Sequence, residues 1–341
     1  IKMILEDIKE LNKVKRKFIK KYMVNHLHHI IGVGIGYKEI AGQKTKILSI
    51  KVYVKNKLPE IEVLSRGLTL LPRVFRYIDI DVVELKNYPK VMSQSNSLKT
   101  NKFTNKIRPL EIGYSIGHYQ VSSGSIGTFV RDSRRLPCIL SNNHVLANSN
   151  LADLYDSILQ PGTYDGGMIM RNKVAELTEW KKLSLIEYNN FPFQTKSIKN
   201  QNLFWNRPKY NKVDGALARL SSRIDFKEPQ LEPYFDVNLF DSLEKNGRTT
   251  GHTIGIVEDV STTISVDYGV GMGMFEDQIM VKGLGSPFSD GGDSGSSVIL
   301  KDTNKIIGLL FAGINKPNGE DITMVNPIEN VIKSLNILDF Y

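Results

Sequence analysis

Apolar residues recur every three to five positions at the start of the chain, at Ile4, Ile8, Leu11, Val14, Phe18 and Met23, with charges between them. That spacing predicts an amphipathic helix of about six turns within residues 1–29. From Ile30 the period shortens. "IIGVGIGYKEI", "KTKILSIKVYVKNKL" and "YIDIDVVEL" alternate or run apolar and β-branched, so they predict strands, with a short helix or turn at "PEIEVLSRG" between the second and third. Residues 30–85 therefore read as a small α+β domain. Residues 86–110 carry no periodicity and read as a linker or exposed loop. Beyond them, short strands separated by Gly, Asn, Asp and Ser turns dominate to about residue 326, among them "SIGTFVRD", "PCILSNNHVL", "VDGALARL", "DQIMVKG", "SSVILKD" and "KIIGLLFAGI". Residues 111–341 thus predict a β-barrel or sandwich. "NPIENVIKSLNIL" closes it with a helix whose stripe is Ile328, Val331, Ile332 and Leu335.

Charge changes this picture little. The net charge of +9 suggests nucleic acid or a membrane surface until it is mapped. Residues 1–23 hold eight Lys/Arg against three Asp/Glu, and residues 86–108 hold six Lys/Arg and no acid, so the remainder nets −2. The basicity belongs to an N-terminal arm and a linker, and no stable nucleic-acid partner is expected. The longest nearly apolar run, Ile306 to Ile314, is too short to span a bilayer, so no membrane insertion is expected. Cys138 is the only cysteine, which favours a reducing compartment. High Lys, Asn and Ile usage suits an AT-rich bacterial genome, giving a bacterial cytoplasmic expectation. The chain opens at Ile1 rather than Met, so a removed leader stays open.

The candidate chemistry centres on "GGDSGSSVIL", residues 291–300. A serine hydroxyl needs a base to take its proton and donors to hold an oxyanion. In the tight turn around Ser294, Gly292 can adopt a backbone closed to other residues, so the N–H groups of Gly292 and Ser294 are the candidate donors. Of six histidines, His144 stands out, because "CILSNNHVLA" holds it where a strand runs into a helix. "KVDGALARL" places Asp214 among apolar neighbours, where a carboxylate needs a partner such as an imidazole N–H. Asp153, Asp156 and Asp165 lie closer to His144 in sequence but read as solvated loop residues. The order His144, Asp214, Ser294 is that of the chymotrypsin class, and the spacing leaves room for His and Asp on one barrel and Ser on a second.

On these motifs the chain resembles trypsin-like serine peptidases. "SNNHVLA", "VDGALARL" and "GDSGSSVI" are similar to the histidine, aspartate and nucleophile motifs of bacterial and HtrA-type members. "NGRTTGHTIGIV" and "IGVGIGYKE" are similar to segments of bacterial relatives and of plant narrow-leaf trypsin-like proteins. The resemblance implies a mainly β fold, a chymotrypsin-like double β-barrel, here with a small N-terminal α+β domain and an N-terminal helix. It implies an endopeptidase acting on protein or peptide substrates through an acyl-enzyme, with no cofactor, and leaves a homo-oligomer open. It further implies that Phe311, Ala312 and Gly313 of "GLLFAGI" contact substrate. Phe288, six residues before the nucleophile, would form the base of a pocket for an apolar or small side chain, no acid being present there. Secreted relatives pair a new N-terminus with the aspartate before the nucleophile; here there is no evident "IVGG" start, although "SIGTFV" near Ile126 occupies a comparable place. Asp293 must then be satisfied otherwise, or the enzyme is latent until cut or bound, and the N-terminal region is the expected regulator. The long insertion from "LQPGTYDGG" to "NRPKY" suggests a lid or an assembly surface.

Three other motifs or readings bear on function. His26, His28 and His29 lie close together, but with no acid or cysteine beside them they do not suggest a metal set. "GVGIGY" lacks the strand–turn–helix context of a phosphate-binding fingerprint. The alternative to catalysis is a latent or non-catalytic protein-binding scaffold on a peptidase fold.

Overall fold

The computed structural model describes residues 2–23, 29–91, 101–190, 209–315 and 321–341. His26 and His28, residues 92–100 of the expected linker and residues 191–208 of the expected insertion lie outside them. The chain is mainly β and builds two sheets.

Helix α1 (Lys2–Phe18) continues as a single wide turn, Ile19–Met23. Leu11, Phe18, Ile19 and Met23 are buried, so the apolar stripe does what its spacing predicts. Lys15 is buried too. Its ammonium donates to the Ser261 hydroxyl at 2.9 Å, and burial pushes its pKa down to about 8. The basic helix is therefore docked along its apolar side, and one of its cations goes inside with it.

Strands β1 (Ile30–Ile40) and β2 (Gln43–Val54) form a hairpin, helix α2 is Glu60–Ser65, and β3 (Ile78–Glu84) runs parallel to β2. β4 is the two-residue strand Lys90–Val91. The first sheet has eight strands. Its members include β5 (Ser115–His118), β6 (Thr128–Arg131), β7 (Pro137–Ser141), β8 (Ser157–Leu159), β9 (Lys173–Trp180) and β10 (Ala216–Leu220). Helix α3 (Asn143–Leu146) follows β7.

The second sheet contains β11 (Ser242–Gly247), β12 (Gly251–Asp267), β13 (Met272–Gly283), β14 (Ser297–Leu300), β15 (Lys305–Asn315) and β16 (Asp321–Pro327). These six close into a ring in the order β13-β16-β15-β14-β11-β12, because β12 also pairs with β13. Helix α4 (Ile328–Ser334) then packs Ile328, Val331 and Leu335 against Val130, Leu140, Leu217 and Leu309, which draw on both sheets.

The segment 30–85 does not make a sheet of its own. β12 is 17 residues long, and the edge that carries β11 along its first half carries β1 along its second. Gly32 pairs with Ile264 and Gly36 with Asp259, which continues the ring into β1, β2 and β3. Sequence periodicity marks such strands but not which edge they will join.

The alternating glycines of β1 owe their place to this junction. Asp259 is fully buried; the Tyr53 hydroxyl donates to it, and the Lys51 ammonium lies 3.4 Å from one of its oxygens and 2.8 Å from Glu258. Burial raises the Asp259 pKa against the pull of Lys51. A Cβ on Gly34 or Gly36 would overlap the Asp259 carboxylate, and one on Gly36 would also stand 2.8 Å from the Lys51 Cδ. Gly36→Ala is expected to cost about 3 kcal/mol of stability, since overpacking here also disturbs a buried ion pair. Urea unfolding checks this; an unchanged midpoint would mean that the junction yields freely.

Candidate active site

β7 and β10 run antiparallel with Ser141 opposite Ala216. His144 lies three residues past the end of β7 and Asp214 two before the start of β10, so one register brings both to the same rim. His144 Nδ1 stands 2.6 Å from Asp214 Oδ2, and the His144 backbone N–H donates to Asp214 Oδ1 at 3.2 Å. The Tyr268 hydroxyl, from the end of β12, donates to Asp214 Oδ2 at 2.6 Å. Burial and the nearby Asp214 charge raise the Tyr268 pKa well above its ordinary value, so it remains a donor. The Asp214 backbone is held as well, its N–H by Asn326 Oδ1 at 3.0 Å and its carbonyl by Asn142 Nδ2 at 2.8 Å. A carboxylate with 0% exposure is tolerable only with such partners.

Ser294 lies in the turn before β14, and its loop is fastened to the first sheet. The Ser125 N–H donates to the Ser294 carbonyl at 2.7 Å, and the Ser125 hydroxyl to the Gly292 carbonyl at 3.0 Å. Gly292 adopts φ +99° and Gly295 φ +92°, both in the left-handed region that favours glycine. The Ser294 hydroxyl donates to the Phe311 carbonyl at 3.3 Å. His144 Nε2 is buried and has no hydrogen-bond partner among the described residues.

Asp293 is satisfied without a chain terminus. Its Oδ1 accepts from the Thr249 and Thr250 N–H groups at 2.8 and 3.1 Å. Its Oδ2 accepts from the Thr250 hydroxyl at 2.6 Å and the Asp290 N–H at 2.9 Å. The Lys245 ammonium, also buried, lies 3.3 Å from Oδ2; burial lowers its pKa and Asp293 works against that. The turn that orients Gly292 and Ser294 is thereby pinned from β11 and from the turn that follows it.

Phe288 is 0% exposed and packs with Leu243, Val257, Val281 and Leu310 inside the second sheet. An acid does reach this segment, from another strand. Asp321 of β16 accepts from the Phe288 N–H at 2.6 Å and the Gly283 N–H at 3.1 Å. Burial raises its pKa against these hydrogen bonds. Phe311, Ala312 and Gly313 lie on β15, beside the turn that holds Ser294: the Gly295 N–H donates to the Leu310 carbonyl at 2.9 Å.

The discarded acids have other partners. Asp156 lies 3.0 Å from His118 Nε2, and Asp165 accepts from Arg248 and from the Ser115 hydroxyl. Cys138 is buried, which pushes its thiol up to about 12 and leaves it protonated and unreactive. Among the described residues no cluster of three or more His, Cys, Asp or Glu could hold a metal, and no helix is long and apolar enough to cross a membrane.

Tyr268, Asn326, Lys245 and Thr250 were not legible as site residues. Each acts across more than forty positions of sequence, and no local pattern marks Lys245 within "SLEKNG" or Thr250 within "NGRTTGH".

No family model matches the chain, and no curated protein matches it. Solved structures do. A chymotrypsin of Cellulomonas bogoriensis is 13% identical over 67% of this chain and 97% of its own, with a TM-score of 0.41. A Nocardiopsis protease is 13% identical over 67% and 98%, with a TM-score of 0.44. The MamO protease domain of Magnetospirillum magneticum is 11% identical over 65% and 95%, with a TM-score of 0.35. The chain is similar to bacterial proteases in fold.

Proposed function

We propose that the chain is a serine endopeptidase in which Ser294 is the nucleophile, His144 the general base and Asp214 the residue that orients the imidazole. The observation that carries this reading is the 2.6 Å bond from His144 Nδ1 to a buried carboxylate, which leaves Nε2 as the ring's free basic nitrogen. For attack, the Ser294 hydroxyl turns from the Phe311 carbonyl to His144 Nε2. The proton passes to Nε2 as Oγ bonds to the substrate carbonyl carbon. Asp214 stabilises the imidazolium, and the Gly292 and Ser294 N–H groups receive the oxyanion. His144 then gives its proton to the leaving amine as the C–N bond breaks. Water, deprotonated by the same imidazole, releases the acyl group and regenerates Ser294.

Among the described residues neither the Gly292 nor the Ser294 N–H donates to another backbone group, which supports their assignment to the oxyanion. The four fixed donors on Asp293, with Lys245 beside them, support a turn held in working shape without cleavage of the chain. The test is a small activated ester such as p-nitrophenyl acetate. Wild type should release about one p-nitrophenolate per chain in a burst, the mark of an accumulating acyl-enzyme, and Ser294→Ala should release none. Equal release from both would remove the reading.

A further inference from the structure

β15 presents two edges. One pairs with β16 from Gly308 to Asn315. The other pairs with β14, but only as far as Leu309. Past that point Ala312 and Gly313 still pair with β16, and their free side is taken by β4: Val91 lies opposite Ala312 and Lys90 opposite Gly313, antiparallel. Between the β14 and β4 stretches lies the Phe311 carbonyl, which accepts the Ser294 hydroxyl. An extended segment of the chain's own linker therefore occupies the strand edge next to the nucleophile.

The segment is anchored on both sides. The Asp267 N–H donates to the Pro89 carbonyl at 2.8 Å, and the Leu85 N–H to the Val54 carbonyl at 2.9 Å. Leu85, Tyr88 and Val91 pack in one cluster with Phe311, Ala312, Ile314 and Tyr268, the same Tyr268 that holds Asp214. Lys90 is exposed.

We infer that residues 85–91 are a built-in competitor for peptide substrate: the strap holds the edge of β15 on which an extended chain would pair, and a substrate must displace it. The inference rests on the serine-peptidase reading above. An exposed strand edge binds extended peptide through main-chain hydrogen bonds, and here that edge is already spent. A tethered strap competes at an effective concentration near the millimolar range, whatever its intrinsic affinity. Three residue pairs, two to β15 and one from Lys90 to Asp267 of β12, and a few apolar side chains hold it, a small contact that a substrate chain can displace. Such a strap raises KM for long substrates and leaves kcat unchanged. A reagent too small to use the β15 edge does not feel it.

Two variants of the full chain test this. Val91→Asp puts a carboxylate into the apolar cluster, and Lys90→Pro removes a strand N–H at an exposed position. Each is assayed with wild type on fluorescein-labelled casein and with a small fluorophosphonate. The expected result is labelling at the wild-type rate together with a KM for casein at least about tenfold lower, a gain set by the strap's effective concentration. Labelling at the wild-type rate also shows that a variant is folded. An unchanged casein KM in a variant that labels normally would overturn the inference and leave the peptidase reading standing. Absence of labelling in every protein, wild type included, would overturn both.

Discussion

Asp214→Asn is expected to lower the ester burst rate by about four orders of magnitude, the loss known when the triad aspartate of a serine peptidase is made an amide. The reason lies in the donors around the carboxylate. Asp214 Oδ2 accepts from both His144 Nδ1 and the Tyr268 hydroxyl at 2.6 Å, and Oδ1 accepts from the His144 backbone. An amide has one accepting oxygen. If it takes the Oδ1 place and serves the backbone N–H, its NH2 stands at the Oδ2 place, facing Nδ1 and the Tyr268 hydroxyl, and forces the tautomer with the proton on Nε2, where it can no longer accept from Ser294. The change is isosteric, so stability should move far less than rate. A burst rate within tenfold of wild type, in a variant that unfolds normally, would mean that His144 does not depend on Asp214.

Gly292→Ala should cost about a hundred- to a thousandfold in the same rate, the range found when one oxyanion donor is lost. At φ +99° an alanine is strained, and its Cβ would overlap the Thr249 hydroxyl and stand 3.0 Å from the Arg248 side chain. The Thr249 hydroxyl is already committed to the Gly291 carbonyl at 2.6 Å. The cheapest relief is rotation of the 291–292 peptide, which turns the Gly292 N–H out of the site. The Asp293 bonds to Thr249, Thr250 and Asp290 should keep the turn folded. The expected signature is therefore a fall in kcat with little change in the midpoint of unfolding. An unchanged kcat would show that this N–H holds no developing charge.

Local pattern carried the chain a long way. The helix stripe from Leu11 to Met23 and the strands of both sheets follow from periodicity, because burying one face of each element is what the pattern encodes. His144 and Asp214 were legible as partners because a buried carboxylate and a rigidly placed imidazole each lack something the other supplies. What stayed hidden depends on register between distant segments. Nothing within "GVGIGY" announces that Asp259, more than two hundred residues on, fills the space its glycines leave. Counting back from Ser294 fixes the backbone place of Phe288 and not the direction of its side chain. The ring went to the apolar core, and Asp321 came to the backbone instead. Lys90 and Val91 sit in a stretch whose composition reads as linker. Two residues are too few for a period, and only the edge of β15 and the end of β12 give them strands to join.

The central claim is that Ser294, and no other residue, carries the nucleophile. Fluorophosphonate-labelled wild type, cut with trypsin and sequenced by tandem mass spectrometry, reads this directly. Cleavage after Lys282 and Lys301 gives the peptide 283–301, in which the serines can be told apart. The account predicts one adduct per chain, on Ser294. An adduct on any other residue, or labelling that persists in Ser294→Ala, would contradict it.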